Sequence, residues 1–104
     1  MEDRNVTAIR VENETLFVAL SGKLDTLRAI SLDEELNAVS TDGIKDIAFD
    51  FEGLTYIASA GLRILYWAKE LADNLGGRLT IDHISDEVAD VFETTGFNDV
   101  LSID

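Results

Sequence analysis

Ser59 is the residue best placed for chemistry in this sequence, because it opens a helical pattern directly after a short apolar run and a loop. The segment is D-I-A-F-D-F-E-G-L-T-Y-I-A-S-A-G-L-R-I-L-Y-W-A-K-E-L-A-D-N, residues 46–74. A serine there has three chemical uses. As an N-cap it accepts a hydrogen bond from an orphan backbone N–H and contributes about 1 kcal/mol. As a phosphorylation site it would place about −1.5 to −2 charges on a helix end that favours anions. As a nucleophile it needs a base, and the one histidine, His83, lies at the end of the next strand, with Asp50 available to complete a triad. The Ala-Ser-Ala around residue 59 is not a Gly-x-Ser-x-Gly elbow, whose first glycine position holds Ile57. The same loop and helix start suit a phosphate or a nucleotide, yet they carry no lysine and no Walker-type glycine spacing. With no cysteine there is no thiol or disulfide chemistry, and one histidine leaves no His/Cys metal site. No cofactor is expected.

The elements that must position Ser59 fit one domain over residues 1–104, and 46% hydrophobic residues provide a modest core. The formal net charge of −13 repels phosphate backbones, so no direct nucleic-acid binding is expected; the acidic surface suits solubility or a basic protein partner. No apolar run approaches the roughly 18–20 residues that cross a bilayer, and the first residues, M-E-D-R-N-V, contain no apolar signal segment. The expected location is the cytoplasm, with no membrane contact.

Val6 to Val11 and Thr15 to Leu20 read as a hairpin around Asn13. Ser21 to Asp25 breaks the second strand, and a helix from Thr26 carries Leu27, Ile30, Leu36 and Val39 in approximate register. The run from Ile47 to Phe51 is a buried strand, Glu52 to Ala58 a connecting loop, and the Ser59 helix stops at Gly76-Gly77. Arg78 to Ile84 is a further strand. Ser85 caps a helix with Val88, Val91 and Phe92 inward, Gly96 ends it in a left-handed turn, and Val100 to Ile103 is a last short edge strand. The order β-β-α-β-α-β-α-β predicts an α/β fold with a mixed, mostly parallel sheet.

On the Ser59 helix, Gly61, Ile64, Leu65, Ala68, Leu71, Ala72 and Leu75 share one face. Ser59, Leu62, Arg63, Tyr66 and Trp67 fall on the other, where Trp, Tyr and Arg suit a protein-contact patch or cover neighbouring loops.

At these residues the chain resembles STAS domains, in particular stand-alone bacterial anti-sigma factor antagonists. D-F-E-G-L-T-Y-I-A-S-A-G-L-R-I-L resembles the family's signature segment, L-S-G-K-L-D (Leu20 to Asp25) its Gly-x-Leu-Asp turn, and V-A-D-V-F-E-T-T-G-F (Val88 to Phe97) its last helix. The resemblance implies a single STAS-type domain with helices mainly on one face of the sheet. It implies no enzyme activity. It implies an antagonist that binds an anti-sigma factor serine/threonine kinase, is released by phosphorylation of the motif serine, and is restored by a serine phosphatase. ATP and Mg²⁺ would belong to the kinase. The motif's Asp is Ala58 here and its second hydroxyl residue is Ala60, so the phosphosite role falls to Ser59, with Thr55 a weaker candidate. Gly22 and Asp25 match the turn near the partner surface, where ordinary turn chemistry is the competing account. Two further functions fit the resemblance: a non-switching STAS module of another complex, and a small-ligand or nucleotide-binding STAS domain.

Overall fold

Asn13 and Glu14 both adopt positive φ, 50° and 69°, which closes a two-residue hairpin whose twist matches its strands. In the computed structural model, which describes residues 7–101, the hairpin joins β1 (Thr7–Glu12) to β2 (Thr15–Leu20). In chain order there follow β3 (Gly22–Leu24), α1 (Thr26–Asn37), β4 (Asp46–Asp50), β5 (Leu54–Ile57), α2 (Ser59–Leu75), β6 (Leu79–Asp82), α3 (Asp86–Thr95) and α4 (Phe97–Leu101). The main sheet has the order β1-β2-β4-β6; β1 runs antiparallel to β2, while β2, β4 and β6 are parallel. The predicted mixed, mostly parallel sheet is present.

Alternation along the strands decides which face is covered. Leu16, Val18, Leu20, Ile47, Phe49 and Ile81 point to one side and join Leu32, Leu36, Leu65, Ala68, Val88 and Phe92 of the helices in one core cluster. On the other side Phe17, Ala19, Ala48 and Asp50 stay half-buried, and the Arg10 guanidinium lies 4.5 Å from the Phe17 ring centre. The helices therefore cover one face, as expected.

Four expectations need correction. The break at Ser21–Asp25 contains β3, and the loop Glu52–Ala58 contains β5; these pair in parallel as a second, two-stranded sheet. Each is too short to show a period, and their pairing spans about thirty residues of chain. The third concerns α1, whose buried residues are Ala29, Leu32 and Leu36, whereas Leu27 and Ile30 face outward. Arg28 fixes that rotation: its guanidinium donates to the carbonyl oxygens of Ser21 and Lys23 and to Thr7 Oγ1. The fourth is the chain end. Val100 and Leu101 are helical rather than an edge strand, and residues 102–104 lie outside the described residues. Phe97 is fully buried against Phe92 and Tyr66, and Asp99 N–H bonds back to Gly96 O, so the backbone closes locally instead of reaching the sheet.

No helix among the described residues is long and apolar enough to cross a membrane.

Candidate functional site

Parallel pairing of β3 with β5 places two helix starts side by side. Leu24 is in register with Ile57, and the Ala58 N–H donates to Leu24 O at 2.9 Å. The next residue on one strand is Asp25, the N-cap of α1; on the other it is Ala58, the N-cap of α2, and Ser59 follows as the first residue of that helix. The two helix caps, 33 positions apart in sequence, thus become neighbours through a pairing that periodicity does not reveal.

Each position has a local cause. Gly22 adopts φ +82° and donates its N–H to Gly53 O, a conformation glycine enters without steric cost. Asp25 Oδ1 accepts from Arg28 N–H at 2.9 Å, which satisfies one orphan amide of α1. The Arg28 clamp holds the same turn from the other side, and its partial burial lowers the guanidinium pKa from the usual arginine value. Sequence reasoning missed Arg28, because its acceptors are backbone carbonyls that leave no trace in residue type. Gly61 lets α2 sit close: a Cβ there would come within 2.7 Å of Leu24 Cδ2 and 2.8 Å of Ile57 Cγ1.

Ser59 is not the N-cap. Ala58 occupies that position with an extended backbone and no side chain caps the end. The Ser59 hydroxyl is exposed and makes no hydrogen bond among the described residues. Thr55, by contrast, lies in β5 and donates its hydroxyl to Gly22 O at 3.2 Å, tying the two short strands together.

The expected outer stripe of α2 divides. Arg63 is exposed and Tyr66 is 45% exposed, its ring meeting Phe97 edge-on at 4.8 Å. Leu62 is only 8% exposed and belongs to the core, and Trp67 is partly buried against that core. The sequence pattern predicts a single apolar face for α2, but this helix buries more than its sheet-facing side, so Leu62 and Trp67 do not form an exposed patch.

His83 and Asp50 do meet. His83 Nδ1 lies 2.8 Å from Asp50 Oδ1, and the same oxygen accepts from Glu52 N–H. His83 sits at φ +61°, beyond the end of β6. No hydrogen bond joins either residue to Ser59 among the described residues, so no Ser-His-Asp relay is assembled. Asp50, Glu52 and His83 bring ligand-capable atoms within 4.8 Å of one another and are the residues that could hold a metal ion, although His83 and Asp50 already satisfy each other.

The pair sets a pH dependence. The hydrogen bond to Asp50, then its charge, raises the His83 pKa above 6.5. The hydrogen bond from His83 holds Asp50 below 3.8. The raised histidine contributes stability that is complete below its unfolded value and is lost as pH rises through the folded one. The lowered aspartate contributes above its unfolded value and loses that as pH falls through the folded one. Both act together between 3.8 and 6.5. His83→Asn tolerates the left-handed backbone but carries no charge. Urea unfolding is expected to show wild type exceeding His83→Asn by more at about pH 5 than at about pH 9. A difference that stays flat between those two conditions would show that the ion pair is energetically idle.

The model of the STAS domain family matches residues 7–104. The anti-sigma-B factor antagonist of Staphylococcus aureus is 29% identical over 86 residues, 83% of this chain and 80% of that protein. BtrV of Bordetella bronchiseptica, assigned as an anti-sigma factor antagonist, is 30% identical over 88 residues, covering 85% of this chain and 76% of that protein. A crystal structure of an anti-sigma factor antagonist from Mycobacterium paratuberculosis shares the fold with a TM-score of 0.79 at 21% identity, covering 97% of this chain and 86% of that one.

Proposed function

The chain belongs to the STAS domain family, and on that premise we propose that it is an anti-sigma factor antagonist that binds an anti-sigma factor serine kinase and is switched off by phosphorylation at Ser59. The observation that carries the reading is the state of the Ser59 hydroxyl: exposed at the first turn of α2, free of any capping duty, and beside the Gly22–Asp25 turn. A kinase that recognises this face meets an available acceptor oxygen there.

The physical consequence of transfer is a change of charge at one point. Phosphate adds about −1.5 to −2 charges next to Asp25, on a chain already at −13. The start of α2 tolerates that anion, because the partial positive charge of a helix N-terminus favours it. An interface pressed over the serine does not, since a doubly charged group would have to be desolvated there. Phosphorylation on this reading releases the partner without unfolding the domain, and a phosphatase reverses it.

Gly22, Asp25, Ser59, Arg63 and Tyr66 provide the contact surface, while Leu62 and Trp67 hold α2 in place behind it. The chain acts as a substrate and binding partner in the cytoplasm; ATP and Mg²⁺ are the kinase's. Incubation with the purified cognate kinase and ATP, followed by peptide mass spectrometry, should place one phosphate on Ser59. A phosphate found only elsewhere, or none at all, would remove the switch.

A further inference from the structure

A groove lies between α1 and the first turns of α2. It measures about 380 Å³, with Ile30, Asp33 and Glu34 on its α1 side and Ala60 and Arg63 on its α2 side. Leu27 is 77% exposed and Ile30 51%, one helical turn apart on the same face, and Glu34 continues that face. Arg28 holds the helix in this rotation, so the two apolar side chains cannot turn into the core. Apolar residues that the fold keeps outside, beside a groove, mark a contact surface more than scattered exposure does.

We propose that this groove receives a basic amphipathic helix of the anti-sigma factor partner. Leu27 and Ile30 meet the apolar stripe of that helix, while Asp33 and Glu34 pair with Lys or Arg along its edge. The inference rests on the antagonist reading and extends its contact surface beyond the Ser59 turn. The groove is bounded by two helices, which suits a third helix laid in at i, i+3 and i+7 spacing. Its volume takes a few side chains of such a helix, whose backbone lies across the groove's mouth. Its charge selects the sign: two carboxylates face one guanidinium, on a chain of net charge −13. A second copy of the chain fits poorly, because pairing these faces would oppose Asp33 and Glu34 to their own kind on two acidic molecules.

Binding of the purified cognate anti-sigma factor to the full chain, measured by isothermal titration calorimetry, tests the assignment. The double variant Leu27→Ser/Ile30→Ser should bind about tenfold more weakly or worse, with an unchanged midpoint of urea unfolding. Asp33→Lys/Glu34→Lys should lose about tenfold at low salt, and the gap should narrow as salt is raised. Ser59→Glu serves as the arm for the parent reading. If it weakens binding while both groove variants bind like wild type, the groove is wrong and the switch stands. If wild type itself does not bind, both fall. A chain that dimerises alone in sedimentation, and loses the dimer on Ile30→Ser, would assign the groove to a second copy and overturn the partner helix.

Discussion

Gly77→Ala should unfold the domain far more readily than Gly76→Ala, although the two glycines are neighbours in one helix stop. Gly76 adopts φ +80° and its N–H bonds to Asp73 O, while Gly77 N–H reaches Ala72 O; together these bonds end α2 in a Schellman turn. Around Gly76 nothing lies within 4 Å of an added Cβ, so alanine there meets only the left-handed backbone, about 1–2 kcal/mol. Gly77 is different. A Cβ would sit 1.8 Å from Lys45 O and 2.5 Å from Lys45 C, both backbone atoms at the entry to β4. No side-chain rotation relieves that contact, so the chain leaving α2 must separate from β4. The same approach carries Arg78 N–H to Asp46 Oδ1 and Ile47 N–H to Arg78 O, the bonds that start the β4–β6 pairing. We expect a loss of about 3 kcal/mol or more for Gly77→Ala, at the upper end of overpacking costs. In a domain of this size that lowers the melting temperature by more than about 10 °C. Thermal unfolding of the two variants side by side gives the answer. Equal losses, or a larger one for Gly76→Ala, would mean that the Lys45 backbone yields easily and that the close approach contributes little.

That glycine pair also shows how far a sequence reading reaches. Gly76-Gly77 was legible as a stop, and so were the bounds of the Ser59 helix, the strand from Thr15 to Leu20, the Ser85 cap and the left-handed Gly96, because each depends on residues within one turn of one another. The reason for the second glycine was not legible, since the Lys45 carbonyl comes from 32 residues away. The same limit hid the centre of the candidate site. β3 and β5 have three and four residues and are specified by pairing with each other, so their residues read as a break and a loop. On α1 the helical period itself favours Ala29 and Leu32, which lie within about 40° of Leu36, over Leu27 and Ile30, which lie about 180° and about 120° from it; Arg28 holds that rotation through backbone acceptors that no pattern shows. Leu62 and Trp67 lie outside the single apolar stripe that a 100° period predicts, because α2 is covered on more than one side. Whether Ser59 or Ala58 caps α2 is a shift of one position, yet it decides whether the serine hydroxyl is occupied or available.

Ser59→Glu should abolish most binding of the anti-sigma factor while leaving the fold as stable as wild type. Stability and binding separate here because of where the residue sits. As the first residue of α2 rather than its cap, Ser59 makes no bond whose loss weakens the helix. A carboxylate at that end gains about 0.3–1 kcal/mol from the helix dipole. Ser59→Ala should therefore change stability by less than about 0.5 kcal/mol, whereas a capping serine would cost about 1 kcal/mol. For binding the order reverses. Alanine removes only a hydroxyl and should keep the affinity, now insensitive to ATP. Glutamate brings a charge into the face shared with Asp25, and desolvating it unpaired should weaken binding at least tenfold, about 1.4 kcal/mol or more. Ser59→Gln separates bulk from charge: it should bind close to wild type if charge is the switch, and like Ser59→Glu if space is. Calorimetric titration of the three variants, with and without prior exposure to kinase and ATP, reads all of these differences. Wild-type affinity in Ser59→Glu would place the serine outside the contact surface, and loss of stability in Ser59→Ala would return it to the role of a cap.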